Sequence, residues 1–80
     1  MSAVLAVRNR ILQLCNERDL TINKLSTISA ISPSSIKNIL YGKSQDPKLS
    51  TIKKLCDGLE ITLGEFFNTP EFDNLEQEIK

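Results

Sequence analysis

Residues 32–41, SPSSIKNILY, gather three serine hydroxyls, an amide, a cation and a phenol with no acid among them. At about 100° per residue, Ser34, Lys37, Asn38 and Tyr41 fall on one side of a helix with Ser35 on the flank. Ile36, Ile39 and Leu40 fall on the other side. The outward set suits hydrogen bonding and charge neutralisation. Hydroxyls bond base edges or phosphates, an amide can pair with adenine through two bonds, and a lysine neutralises a phosphate. The start of such a helix adds N–H groups and the positive dipole end. The same residues would also serve on a plain solvated helix, with Ser32 as an N-cap and nothing more, and the wheel alone does not separate the two readings.

Catalysis is the poorest match. The 80 residues hold no histidine, no nucleophile with a base at motif spacing and no Gly-rich phosphate loop. Cys15 and Cys56 stand alone, each on an apolar helix face, and read as small buried side chains rather than zinc ligands. No metal and no cofactor is therefore expected. No apolar run approaches the ~20 residues of a membrane span, and MSAVLAVRNR lacks the basic start of a signal peptide. The expected compartment is the cytoplasm, where a disulfide is disfavoured.

The neutral net charge hides a division. Residues 1–54 carry nine Lys/Arg against three Asp/Glu, and residues 55–80 carry one Lys against seven acids. A basic body and an acidic tail leave room for a basic footprint on one face. A surface that is merely solvated fits the charges as well.

The elements that must position SPSSIKNILY are all helices, because the apolar period is near 3.6 almost throughout. Ser2 caps a first helix over 3–18, whose stripe is Val4, Val7, Ile11, Leu14 and Cys15. Thr21 caps a second over 22–28, with Leu25 and Ile28 inward. Ser32 caps a third, Pro33 takes its first position, and Gly42 is expected to end it as a left-handed cap. A fourth covers 49–59, with Leu49, Ile52, Leu55, Cys56 and Leu59 inward. Thr62-Leu-Gly-Glu65 reads as a capping box opening a short fifth that ends at Phe67. Thr69-Pro70 repeats the start signal and predicts an extra C-terminal helix with Phe72, Leu75 and Ile79 on one face. The predicted fold is an all-α, compact bundle of four to five helices plus this extra one. Residues 1–68 form the expected domain and 69–80 an acidic tail.

Two short helices lie about three residues apart, with Leu25, Ile31, Ile36 and Ile39 set to interlock. That is the helix-turn-helix pattern. From Leu20 to Phe67, LTINKLSTISAISPSSIKNILYGKSQDPKLSTIKKLCDGLEITLGEFF, the chain resembles the Cro/repressor-type helix-turn-helix family of transcriptional regulators, also called the xenobiotic response element family. Its most specific parts are SPSSIKNILYGK, the Asp-Pro turn and LCDGLEITLGEFF. The resemblance implies a lambda-repressor-like domain that docks its third helix in the major groove of double-stranded DNA, as a homodimer. It implies base contacts from Pro33, Ser34, Ser35 and Asn38. It implies phosphate contacts from Asn23, Ser32, Lys37, Tyr41, Lys43 and Ser44. A small-molecule ligand domain and a membrane partner are not expected.

Family members often carry Gln where Ile22 stands, Gly where Ala30 stands, Glu where Leu40 stands, and Ser or Thr where Lys48 stands. Ile22 removes a backbone anchor, and Lys48 makes a weaker helix start. If Ala30 takes positive φ, the strain is about 1 kcal/mol, so Ala30→Gly is expected to be neutral or stabilising. The rival function is a protein-interaction or antitoxin-like module with Phe66, Phe67, Phe72 and Leu75 as its contact surface. Convergence of Lys37, Lys43 and Lys48 beside Ser34 and Asn38 would favour DNA. Acids of the tail laid over that face would favour the rival.

Overall fold

The structure, a computed structural model, describes residues 2–42 and 46–79. Six helices follow one another: α1 (Ala3–Glu17), α2 (Ile22–Ser29), α3 (Pro33–Tyr41), α4 (Leu49–Leu59), α5 (Leu63–Phe67) and α6 (Pro70–Asp73). No strand occurs among the described residues, and none of their helices is long and apolar enough to cross a membrane.

The helix starts follow the hydroxyls. Ser2, Thr21, Ser32 and Thr62 each accept a backbone N–H three residues on, and Glu65 reaches back to the Thr62 amide at 2.9 Å to complete a capping box. Lys48 makes no side-chain cap bond at the start of α4.

The helix ends repeat one device. Asp19, Ala30 and Glu60 have φ of 54°, 56° and 59°. The next residue in each case, Leu20, Ile31 or Ile61, donates its N–H five residues back, to Cys15, Ser26 or Cys56. That apolar side chain packs on the core. The residue after it is the hydroxyl that caps the following helix. A left-handed residue, an apolar anchor and a cap thus make the corner three times. In the helix-turn-helix corner the Ser26 hydroxyl also donates to the Ile31 carbonyl, bracing the turn from its far side.

Val7, Ile11 and Leu14 of α1, Leu25 of α2, Ile36, Ile39 and Leu40 of α3, and Ile52, Leu55, Cys56 and Leu59 of α4 share one core with Phe66. Gly58 lets α4 lie directly on the end of α2. Ile22 and Leu40 join this packing, so the residues found where the family often has Gln and Glu serve as apolar surface. Both cysteines are free, and burial pushes both thiols above their usual range.

Three expectations need correction. Leu49, expected inward, is 64% exposed at the first position of α4, before the helix meets the core. Gly42 is not a left-handed cap: its φ is −75° and ψ 162°. A glycine stands there because a Cβ would lie 2.3 Å from the Asn38 carbonyl oxygen. The last helix stops at Asp73, so Leu75 and Ile79 do not share its face, and Ile79 is 89% exposed. Thr69 makes no side-chain cap bond, and Asp73, Glu76 and Glu78 would crowd negative charge toward the C-terminal end, where the helix dipole disfavours it.

Candidate nucleic-acid interface

The start of α3 is tied into a small hydroxyl cluster. Ser32 Oγ accepts the Ser35 amide at 3.2 Å and donates to Ser35 Oγ at 2.8 Å. The Ser32 hydroxyl is thereby engaged locally, while the Ser35 proton remains available for an outside acceptor. Ser34 Oγ lies 3.4 Å from Ser32 Oγ. Pro33 sets the first helical φ without needing a hydrogen bond.

Beyond this cluster, Ile36, Ile39 and Leu40 are buried, whereas Pro33, Ser34, Ser35, Lys37, Asn38 and Tyr41 are all exposed. The expected division of α3 into a core side and a polar side holds at every one of these positions. Asn23 is exposed on the first turn of α2. Lys43 and Ser44 lie outside the described residues.

A groove of about 470 Å³ runs between α3 and α4. It brings Ser32, Ser35 and Asn38 together with Lys48, Thr51 and Lys54. Asp46 also lines it, and no residue of 69–79 does. Thr51 and Lys54 are absent from the residues that the sequence pattern nominates, because they sit on the next helix and meet α3 only through the fold. Asn23, Pro33, Ser34, Lys37 and Tyr41 stay outside this groove.

The cations divide into two sets. Arg8 and Arg10 of α1, and Arg18 at its C-cap, turn to helix ends. Arg8 donates through Nε to Ile39 O at 2.7 Å and through Nη2 to Gly42 O. Arg10 donates to Phe66 O at 2.7 Å and Glu65 O at 2.8 Å. Arg18 donates to Leu59 O. Lys53 pairs with Asp57 on α4. Lys24, Lys37, Lys48 and Lys54 form no ion pair among the described residues. The basic body that the charge count implies is therefore smaller than its arithmetic, since its arginines face carbonyls.

The acidic tail goes elsewhere. Glu71 accepts from Asn9 Nδ2 at 3.1 Å and Glu78 from the Ala3 amide at 3.2 Å, both on α1. No group of three or more His, Cys, Asp and Glu side chains that could hold a metal is found among the described residues.

A family model for the Cro/C1-type HTH DNA-binding domain matches residues 10–71. The chain belongs to this family. The Cro/C1-type match takes in all of α2 to α5 and the greater part of α1. Two relatives come from Bacillus subtilis (strain 168). The HTH-type transcriptional repressor RghR is 48% identical over 48 residues, which cover 60% of this chain and 36% of that protein. The uncharacterized HTH-type transcriptional regulator RghRB is 43% identical over 49 residues, covering 61% and 35%. The matched region thus spans little more than a third of the length of either relative. Among solved structures, the prophage Lp1 protein 11 superposes with a TM-score of 0.80 at 27% identity, over 92% of this chain and 97% of that one.

Proposed function

We propose that the chain is a sequence-specific, DNA-binding transcriptional regulator of the repressor kind, acting in the cytoplasm and without catalysis. It lays α3 in the major groove and works as a homodimer on half-sites about one helical turn apart. Residues 1–68 are the binding domain and 69–80 an acidic tail. The observation that carries the reading is the acid-free, exposed side of α3, which continues into a groove holding two lysines with no ion pair among the described residues. The names of the Bacillus relatives support it.

Asn38 is the principal base reader, since its amide can pair with adenine through two bonds. Ser35 donates its free proton to a base or phosphate, Ser34 assists, and Pro33 offers apolar contact to a thymine methyl. Asn23, Lys37, Tyr41, Lys43 and Ser44 hold phosphates, Ser32 holds Ser35 in place rather than reaching a phosphate itself, and Lys48 and Lys54 add charge beside them. Serines discriminate bases weakly, so DNA shape carries part of the specificity.

The test is selection of random-sequence duplexes by the purified chain at two salt concentrations, with Asn38→Ala alongside. A palindromic motif, weaker in high salt and blurred by Asn38→Ala, is expected. Absence of any enriched motif would overturn the proposal in favour of a protein-interaction module.

A further inference from the structure

We propose that Arg8, on α1, is a positioning residue for base reading: its guanidinium clamps the C-terminal end of α3. The inference rests on the function proposed above. It comes from a contrast among helix ends. α1, α2 and α4 each close with a left-handed residue and a backbone N–H reaching five residues back. At the end of α3, Gly42 is extended and its N–H returns to Asn38 O at 2.9 Å. Arg8 bonds the Ile39 carbonyl of the last turn of α3 through Nε and the carbonyl of Gly42, the C-cap residue, through Nη2.

This is a strong way to fix a helix end. The guanidinium is a rigid planar fork, so two bonds to carbonyls three residues apart set direction as well as distance. Its charge lies at the negative end of the α3 dipole. It is half-buried, which limits competition from water. The turn that it holds spans Asn38 to Gly42 and so carries Asn38 and Tyr41, two of the proposed DNA contacts. Arg8 itself presents these donors to protein carbonyls rather than to a phosphate. It therefore acts through the pose of Asn38.

The test compares a duplex selected by the wild-type chain with a shuffled duplex, across a salt series, for Arg8→Lys and Arg8→Gln. Arg18→Gln is the control, because it removes the equivalent arginine–carbonyl bond at the end of α4. Thermal melts fix a temperature at which every variant is folded. The expected result is a roughly 2- to 30-fold loss of preference for the selected duplex in both Arg8 variants. Affinity for shuffled DNA and the salt slope stay as in the wild type. Arg18→Gln keeps the preference.

Three results would overturn the proposal. Full rescue by Arg8→Lys would mean that charge alone suffices. A salt slope lower by about one in Arg8→Gln would mean a direct phosphate contact. An equal loss of preference in Arg18→Gln would mean general loosening. Failure of the proposed function shows earlier and separately, as a wild-type chain that selects no sequence. Amide exchange then decides the clamp without DNA: Arg8→Gln must speed exchange at Gly42 more than at Ile52 of α4, and equal protection there would refute it.

Discussion

Gly58 and Ile28 are in backbone contact: a Cβ built on Gly58 would lie 2.6 Å from the Ile28 carbonyl oxygen and 2.8 Å from its carbon. Both atoms belong to main chain, so no side chain can swing away. Gly58 also sits inside α4, where alanine would by itself gain about 1 kcal/mol of helix propensity. Overpacking of about 1–3 kcal/mol works against that gain. Gly58→Ala is expected to lower the melting temperature by several degrees, at about 4–8 °C per kcal/mol for a domain of this size. A melt equal to or above wild type would show that α4 can lift off α2 freely.

Ala30 and Gly42 should respond in opposite directions. Ala30 has φ 56° and ψ 38° at the helix-turn-helix corner, a region that strains any side chain by about 1–2 kcal/mol. Glycine relieves that strain but loosens the unfolded chain, a loss of about 0.4–1 kcal/mol. Ala30→Gly should therefore melt at or slightly above the wild-type temperature. Gly42→Ala should melt lower, because its methyl meets the Asn38 carbonyl. If the two substitutions shift the melt in the same direction, this assignment of backbone strain is wrong.

The capping box predicts a pH dependence. The Thr62 amide, and then the Thr62 hydroxyl, hold the Glu65 carboxyl below its usual range. A group whose value is lowered by folding stabilises the fold above its ordinary value, near pH 4.3, and loses that contribution as pH falls through the lowered one. Stability measured by urea titration should decline on acidification across that window. Glu65→Gln should make the decline shallower, while a decline as steep as in the wild type would remove Glu65 as its source.

Lys48 and Lys54 should behave as phosphate anchors. Replacing either with Gln should weaken binding to selected and shuffled duplexes by the same factor and lower the salt slope by about one. A slope unchanged by Lys54→Gln would take the α4 side of the groove out of the interface.

Much of the fold can be read directly from residue types. The apolar period locates α1 to α4, and hydroxyls at Ser2, Thr21, Ser32 and Thr62 mark four starts that all make their cap bonds. The helix ends are harder to read because glycine misleads here. None of the three glycines has positive φ, and the left-handed positions are an aspartate, an alanine and a glutamate. Gly42 and Gly58 answer to close approaches of backbone, which depend on where another segment lies. On the candidate interface, the outward residues of α3 follow from its own periodicity. Thr51 and Lys54 do not, since only the packing of α4 against α3 brings them there. Arg8, Arg10 and Arg18 are the clearest misreading: as sequence they count toward a basic footprint, and as structure they hold the ends of α3, α5 and α4.

The corner made three times has a consequence for how the chain reaches its structure. Each corner closes through bonds reaching no more than five residues back, so none of them waits for a distant segment. Loop closure on that scale takes about 10–100 ns, and helical domains dominated by local contacts fold in microseconds to milliseconds. The α2–α3 pair, with its corner braced from both sides, is suited to form early, and docking of α1 with its arginines would complete the fold afterwards. On that order the helix-turn-helix takes shape first, and the end of α3 is fixed last.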